Sequence, residues 1–214
     1  RSSLEGRIGN RHHVEPAMLV EDENSEGRLA DMDTEGRDID YVFPASFARS
    51  IVALDDITIG RGLYRAYHNY MRDYSAIAPD RIKSGIQVNG ADVEASVSEL
   101  KEFGNDKWVA ACWIHLPHGL PIDDPSLEPI WATVAELDMP VCVHPGFSSP
   151  SLDSMYRNIF DAVTMTFVFT QLHGFYAIMR SGLLDRYPNL RIGFMENGSR
   201  WVDYMVMRIA ETLF

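Results

Sequence analysis

Five short apolar runs, each followed by a segment with helical spacing, constrain this chain more than any other feature. The clearest run is Met139 to Val143, which is rich in β-branched residues and stops at His144-Pro145-Gly146. It reads as a strand buried on both faces, the kind found in parallel sheets. Proline removes a backbone donor and glycine permits a sharp turn, so the strand ends there. The other runs are Ile39 to Phe43, Ile82 to Val88, Trp108 to Ile114 and Leu190 to Met195. Helical spacing covers Ser25 to Gly36, about Thr58 to Ala78, Asp92 to Phe103, Ser126 to Leu137, about Asn158 to Gly182 and Ser199 to Leu213. In the second of these helices Leu63, Ala66, Tyr67, Tyr70 and Tyr74 recur at threes and fours, which predicts a core-facing stripe. His68 lies off that stripe and is expected in solvent. His173-Gly174 is a candidate break in the fifth helix, with His173 expected as a satisfied core histidine.

Sequential strand–helix units make parallel sheets with right-handed crossovers. An open doubly wound sheet and a (β/α)8 barrel both fit, although five units are too few to close a barrel. No glycine-rich phosphate-binding stretch follows the first strand, so dinucleotide and P-loop readings lack their chemistry. A length of 214 residues suits one domain with a full core. Residues 1–24 read as a polar arm and 25–214 as the folded part. The arm lacks the apolar core of a signal peptide, and with no starting methionine the chain reads as an interior piece of a longer product. The balance of 19 basic and 31 acidic residues, −12 overall, argues against nucleic acid or an anionic membrane as partner. No apolar run approaches bilayer length. Cys112 and Cys142 each sit in an apolar run and are expected as buried free thiols, which fits a cytoplasmic setting.

Chemistry is sought at the strand ends, because parallel sheets gather these ends on one face. Three of them carry His115, His144 and Glu196. Imidazoles and a carboxylate at one point suit a divalent-metal site or an acid/base pair. Each also has a plainer reading. Either histidine could hydrogen-bond a neighbouring loop, and Glu196 could be an anion favoured at a helix N-terminus. His12-His13-Val14-Glu15 holds metal-capable groups, but histidines in a polar arm usually bind nothing.

Three stretches carry a resemblance: RLADMDTEGRDIDYVFP (28–44), DPSLEPIWATVAELDMPVCVHPG (124–146) and SGLLDRYPNLRIGFMENGSRWVDYMVMRIAE (181–211). Together they resemble the amidohydrolase-related group that includes aminocarboxymuconate semialdehyde decarboxylase and the resorcylate decarboxylases. The resemblance implies a metal-dependent (β/α)8 TIM barrel of the amidohydrolase type, with this chain covering about strands 2–6. It implies decarboxylation or hydrolysis of a small carboxylate-bearing substrate. The implied cofactor is a divalent ion, zinc first, with manganese or magnesium also compatible. His144 matches a metal ligand of the family's fifth strand. Glu196 falls where many members carry a proton-transferring histidine, and a related branch has glutamate followed by a pattern like Gly198-Ser-Arg-Trp201. The ordinary pKa of glutamate lies well below that of histidine, so an acid role near neutrality needs burial. His115 and Arg200 are candidate holders of the substrate anion, and Phe147 and Trp201 candidate apolar walls. The family's first-strand ligands are expected upstream of Arg28, where His12-His13-Val14-Glu15-Pro16 only superficially echoes an H-x-x-E-P pattern, and its eighth-strand aspartate is expected beyond Phe214. Two other readings therefore stand beside the enzyme: an inactive barrel fragment serving as a binding or assembly module, and an open-sheet α/β enzyme without metal. A partial barrel exposes strand edges, which predicts self-association into a homo-oligomer.

Overall fold

The computed structural model describes residues 24–44, 56–117, 119–144 and 157–213. The arm with His12, His13 and Glu15 lies outside these residues, as does Phe147. Helix α1 (Ser25–Glu35) starts at Asn24, whose side chain accepts the Gly27 N–H, and ends at Gly36 with φ 72°. Strand β1 (Asp40–Tyr41), helix α2 (Ile57–Ser75) and strand β2 (Ile82–Asn89) follow. Then come α3 (Val93–Phe103), β3 (Val109–His115), a 3-10 turn at Pro125–Leu127 and α4 (Glu128–Glu136). The last elements are β4 (Val141–Val143), α5 (Ile159–Arg180), the short α6 (Leu183–Arg186), β5 (Ile192–Phe194) and α7 (Arg200–Leu213). The α2, α3 and α5 starts are capped by Asp56, Asp92 and Asn158, whose side chains accept the orphan N–H groups of the first turn.

All strand pairings are parallel, and the sheet runs β1-β2-β3-β4-β5 in chain order. A doubly wound sheet reverses its order at a switch point, and this one does not. The order is that of a partial (β/α) barrel, which removes the open-sheet reading. Strand alternation then sorts the side chains. Ile86, Val88, Cys112, Ile114, Val141 and Val143 pack with Phe103, Leu100, Trp131 and Ile130 in the layer between sheet and helices. The opposite, inner face of the sheet carries Gly85, Gln87 and Asn89 on β2, Trp113 and His115 on β3, and Cys142 on β4. The register sets Gln87 beside Trp113, Trp113 beside Cys142 and Cys142 beside Gly193.

Several expectations are corrected. On α2 the buried face is Tyr64, Tyr67, His68, Met71 and Ser75, while Ala66 and Tyr70 are exposed. The face is rotated by about one residue because His68 is held inside. Its Nδ1 bonds Glu99 at 2.5 Å, and its Nε2 accepts the Gln87 N–H at 2.9 Å. That N–H needs a side-chain acceptor because β1 pairs with β2 only at Asp40 and Tyr41. His173 is exposed rather than in the core, and α5 runs through it without a break. Cys112 is buried but Cys142 only partly so, and both are free thiols. Among the described residues no helix is long and apolar enough to cross a membrane.

Gly85 is where the inner face leaves no room. A Cβ there would collide with the Tyr41 hydroxyl and sit 3.2 Å from the Ala111 carbonyl oxygen. Gly85→Ala is expected to lower unfolding stability by about 1–3 kcal/mol, the usual cost of overpacking. Adding Tyr41→Phe should recover most of that loss in urea titrations. Failure of the second change to help would place the strain at the Ala111 backbone instead.

Candidate active site at the strand ends

His144 and Glu196 leave the sheet one and two residues past the ends of β4 and β5 and meet. His144 Nε2 lies 3.2 Å from Glu196 Oε1. The local chain explains the convergence. The β4–β5 ladder extends one step beyond the strands, with Met195 N–H donating to the Val143 carbonyl at 3.0 Å. Glu196 then takes φ 60° and Gly198 φ 58°, so the chain turns sharply before α7. A left-handed glutamate is strained by about 1–2 kcal/mol, and such strain gathers where a side chain must be aimed. The Asn197 amide donates to the Met195 carbonyl at 2.8 Å and steadies the turn. The Glu196 side chain is 53% exposed and that of His144 18%. Any burial of Glu196 must therefore come with a ligand or from residues outside the described set.

An aromatic wall backs the imidazole. The Trp113 ring lies 4.6 Å from the His144 ring, and Phe43 lies 5.9 Å away. Phe43 also meets Trp113 edge-on at 5.4 Å. Such contacts fix ring orientation and contribute about 0.5–1.5 kcal/mol each. His115 occupies the end of β3 and is fully buried. Its Nδ1 pairs with the Tyr64 hydroxyl at 2.7 Å. Burial, with the nearby His144 second, pushes the His115 pKa down to about 3, so the ring is neutral. Burial likewise pushes the Tyr64 phenol above its usual range, which keeps it protonated.

The remaining candidates are placed as follows. Arg200 is exposed at the first residue of α7. Trp201 packs edge-on against Phe175 and Phe194 at 5.5 and 5.6 Å, and its indole N–H donates to the Gly198 carbonyl at 3.0 Å. It therefore braces the β5–α7 turn from the helix side. A cavity of about 380 Å³ lies elsewhere, between α2 and α3, and is lined by Arg61, Arg65, Gln87 and Glu99 among others, with neither His144 nor Glu196 on its walls.

Three residues near the pair were missed in the sequence: Trp113, Tyr64 and Gln171. Trp113 alternates with His115 on β3, so strand parity alone flags it. Gln171 is a polar residue in a largely apolar helix, a weak signal that was available. Tyr64 offered none, because its reach to β3 depends on how α2 docks.

As for metal, the donor chemistry fits in part. Two donors sharing one ion at about 2.0–2.2 Å lie roughly 3–3.5 Å apart, and the His144–Glu196 spacing of 3.2 Å falls in that range. Among the described residues no group of three or more His, Cys, Asp or Glu could hold an ion. His144 and Glu196 thus offer two ligand positions, and any others lie outside the described set.

Comparison with known proteins agrees with the fold. The chain belongs to the amidohydrolase family, which matches residues 11–211. The chain is similar to gamma-resorcylate decarboxylase of Rhizobium sp. (strain MTP-10005), with 28% identity over 193 residues covering 85% of this chain and 58% of the relative. Among solved structures, a 2,6-dihydroxybenzoate decarboxylase from Rhizobium superposes with a TM-score of 0.73 at 24% identity, covering 85% of this chain and 58% of the other. A 5-carboxyvanillate decarboxylase from Novosphingobium aromaticivorans, solved with bound manganese, gives 0.69 at 26% identity, covering 87% and 55%. The chain thus spans a little over half the length of the relatives it matches, 58% for the first.

Proposed function

We propose that this chain is the central part of a metal-dependent decarboxylase acting on a small aromatic carboxylate, its five strands being about the second to sixth of an eight-stranded barrel. The observation that carries the reading is the meeting of His144 and Glu196 at 3.2 Å beyond the ends of adjacent parallel strands. The activities of the relatives, decarboxylation of resorcylate, 2,6-dihydroxybenzoate and 5-carboxyvanillate, supply the substrate class. They favour decarboxylation over hydrolysis, and they lend no support to an inactive assembly module.

His144 is the metal ligand in this reading. A divalent ion held there would polarise the substrate's carboxylate or an adjacent oxygen. Manganese is the first ion to test, since it is bound in three neighbouring structures. Trp113 and Phe43 keep the imidazole from rotating. Glu196, screened from water once the substrate covers it, carries a proton and delivers it to the ring carbon. The bond between that carbon and the carboxyl group breaks, carbon dioxide leaves, and the electron pair left on the carbon accepts the Glu196 proton. Arg200, exposed at the head of α7, and the neutral His115 serve the substrate's oxygens, with Phe147 as an apolar wall, while Trp201, packed against Phe175 and Phe194, braces the turn from behind. Exposed Phe169, Tyr176, Tyr204 and Met207 on α5 and α7 support self-association.

The test is carbon dioxide release from 2,6-dihydroxybenzoate and 5-carboxyvanillate in the presence of manganese. Glu196→Gln is expected to lower kcat by about 100-fold or more while leaving metal content intact. Loss of the metal together with activity would make Glu196 a ligand rather than the proton carrier. No release from either compound by the parent protein would overturn the reading.

A further inference from the structure

Gln171 lies within α5 (Ile159–Arg180) and is fully buried. Its side-chain amide donates from Nε2 to the Val143 carbonyl at 3.1 Å and to the Met195 carbonyl at 3.4 Å. These are the carbonyls immediately before His144 and Glu196. Strands β4 and β5 are only three residues each, so their ends have little ladder to hold them. The Val143 carbonyl already accepts the Met195 N–H and the Met195 carbonyl the Asn197 amide, and each has a second lone pair to offer. One amide on α5 takes both second positions and so ties the two strand ends together.

From this we infer that Gln171 is the positioning residue of the His144–Glu196 pair, an inference that rests on the functional reading above for its catalytic consequence. Each carbonyl it grips belongs to the peptide unit that leads directly into one of the two side chains. Fixing those two peptide planes fixes the direction in which each Cα–Cβ bond leaves the chain. The left-handed conformation of Glu196 makes this control necessary. A residue at φ 60° relaxes unless its flanks are held, and Met195 is held by the Gln171 and Asn197 amides together. Trp201 braces the far side of the same turn through the Gly198 carbonyl.

The chemistry selects glutamine. Two carbonyl oxygens face one group, so that group must be a donor. The amide orientation follows from the same fact, since the flipped form would set Oε1 against two other oxygens. Methionine would match glutamine's length but offer no donor. Glutamate would match its shape but bring lone pairs, and at neutral pH a charge, against both carbonyls. Gln171 touches neither the substrate nor the reacting atoms. It acts through the backbone.

Two readouts separate this role from mere packing and from the functional reading itself. The first needs no activity. In the parent protein, Glu196→Gln is expected to shift the ring resonances of His144 in NMR spectra, because the carboxylate is in contact with the imidazole. In the Gln171→Met background the same change should produce less than half that shift. The second is kinetic. Gln171→Met is expected to lower kcat for 2,6-dihydroxybenzoate by about 10- to 100-fold, with KM changed less than threefold, the scale seen when groups behind a site are removed. Gln171→Glu should do no better at pH 8. Far-ultraviolet circular dichroism on each variant checks that it folds, and Gln171→Leu, which also lacks the donor, is the fallback if Met does not. An unchanged His144 shift in folded Gln171→Met or Gln171→Leu overturns the positioning role. Parent protein with no activity but with the expected loss of coupling overturns the functional reading and leaves the positioning role standing.

Discussion

Replacing His144 with alanine should abolish decarboxylation, lowering kcat/KM by about 1,000-fold or more, or about 4 kcal/mol of transition-state stabilisation. On the proposed reading His144 is a metal ligand, and its removal would take away the ion and everything the ion does to the substrate at once. Divalent-metal content, measured by atomic emission after dialysis, should fall in parallel. The fold should hardly notice. His144 stands past the end of β4, and the aromatic contacts it loses are those with Trp113 at 4.6 Å and Phe43 at 5.9 Å. An aromatic contact of that kind contributes about 0.5–1.5 kcal/mol, so the urea midpoint should move only slightly. The contrast with Glu196→Gln is informative. That variant should keep its metal and lose the proton step, whereas His144→Ala should lose both. A protein that retains metal and activity without His144 would remove the imidazole from the site and leave the 3.2 Å contact as an ordinary surface pair.

The parts of this structure that the sequence disclosed are those set by local rules. Apolar runs of strand length ended by His144-Pro145-Gly146 or by Glu196-Asn197-Gly198 marked the strands and the face on which they finish. Gly36 marked a helix stop, and φ 72° there shows why. The meeting of His144 with Glu196 also followed, because the ends of adjacent parallel strands must lie side by side. What stayed hidden depends on docking between elements. The buried face of α2 was misplaced because an apolar stripe was read where a polar residue had to go inside. His68 is drawn in by an unpaired backbone N–H on β2, which exists only because β1 is so short. His173 misled in the opposite sense. It sits in an apolar stretch, but α5 carries apolar side chains on its exposed side too, including Phe169 and Tyr176. Hydrophobicity around a residue is therefore no measure of its burial on that helix.

Buried His68 and His115 should make this protein acid-sensitive well above the range in which carboxylates titrate. Burial pushes the His68 pKa below its ordinary value, against the opposing pull of Glu99. The geometry agrees with that direction. Nε2 accepts the Gln87 N–H, so a proton on it would face another proton. His115 is pushed down to about 3 by burial and by His144. Both groups titrate near 6.5 in the unfolded chain. The unfolded state thus binds more protons than the native state below that pH, and stability falls as pH falls. The contribution is fully present above about pH 6.5 and is lost progressively towards the native values. Each pH unit below that point costs about 1.4 kcal/mol per group that stays neutral. Between pH 6.5 and 4.5 His115 alone should therefore remove about 2–3 kcal/mol of unfolding free energy, with His68 adding to it. Urea denaturation at half-unit steps measures the slope directly. His115→Asn, which keeps a polar side chain beside Tyr64, should flatten it by the His115 share while lowering stability at pH 8. A curve that stays level from pH 6.5 to 4.5 would mean that the imidazoles pick up protons in place, and that water reaches the ends of β2 and β3.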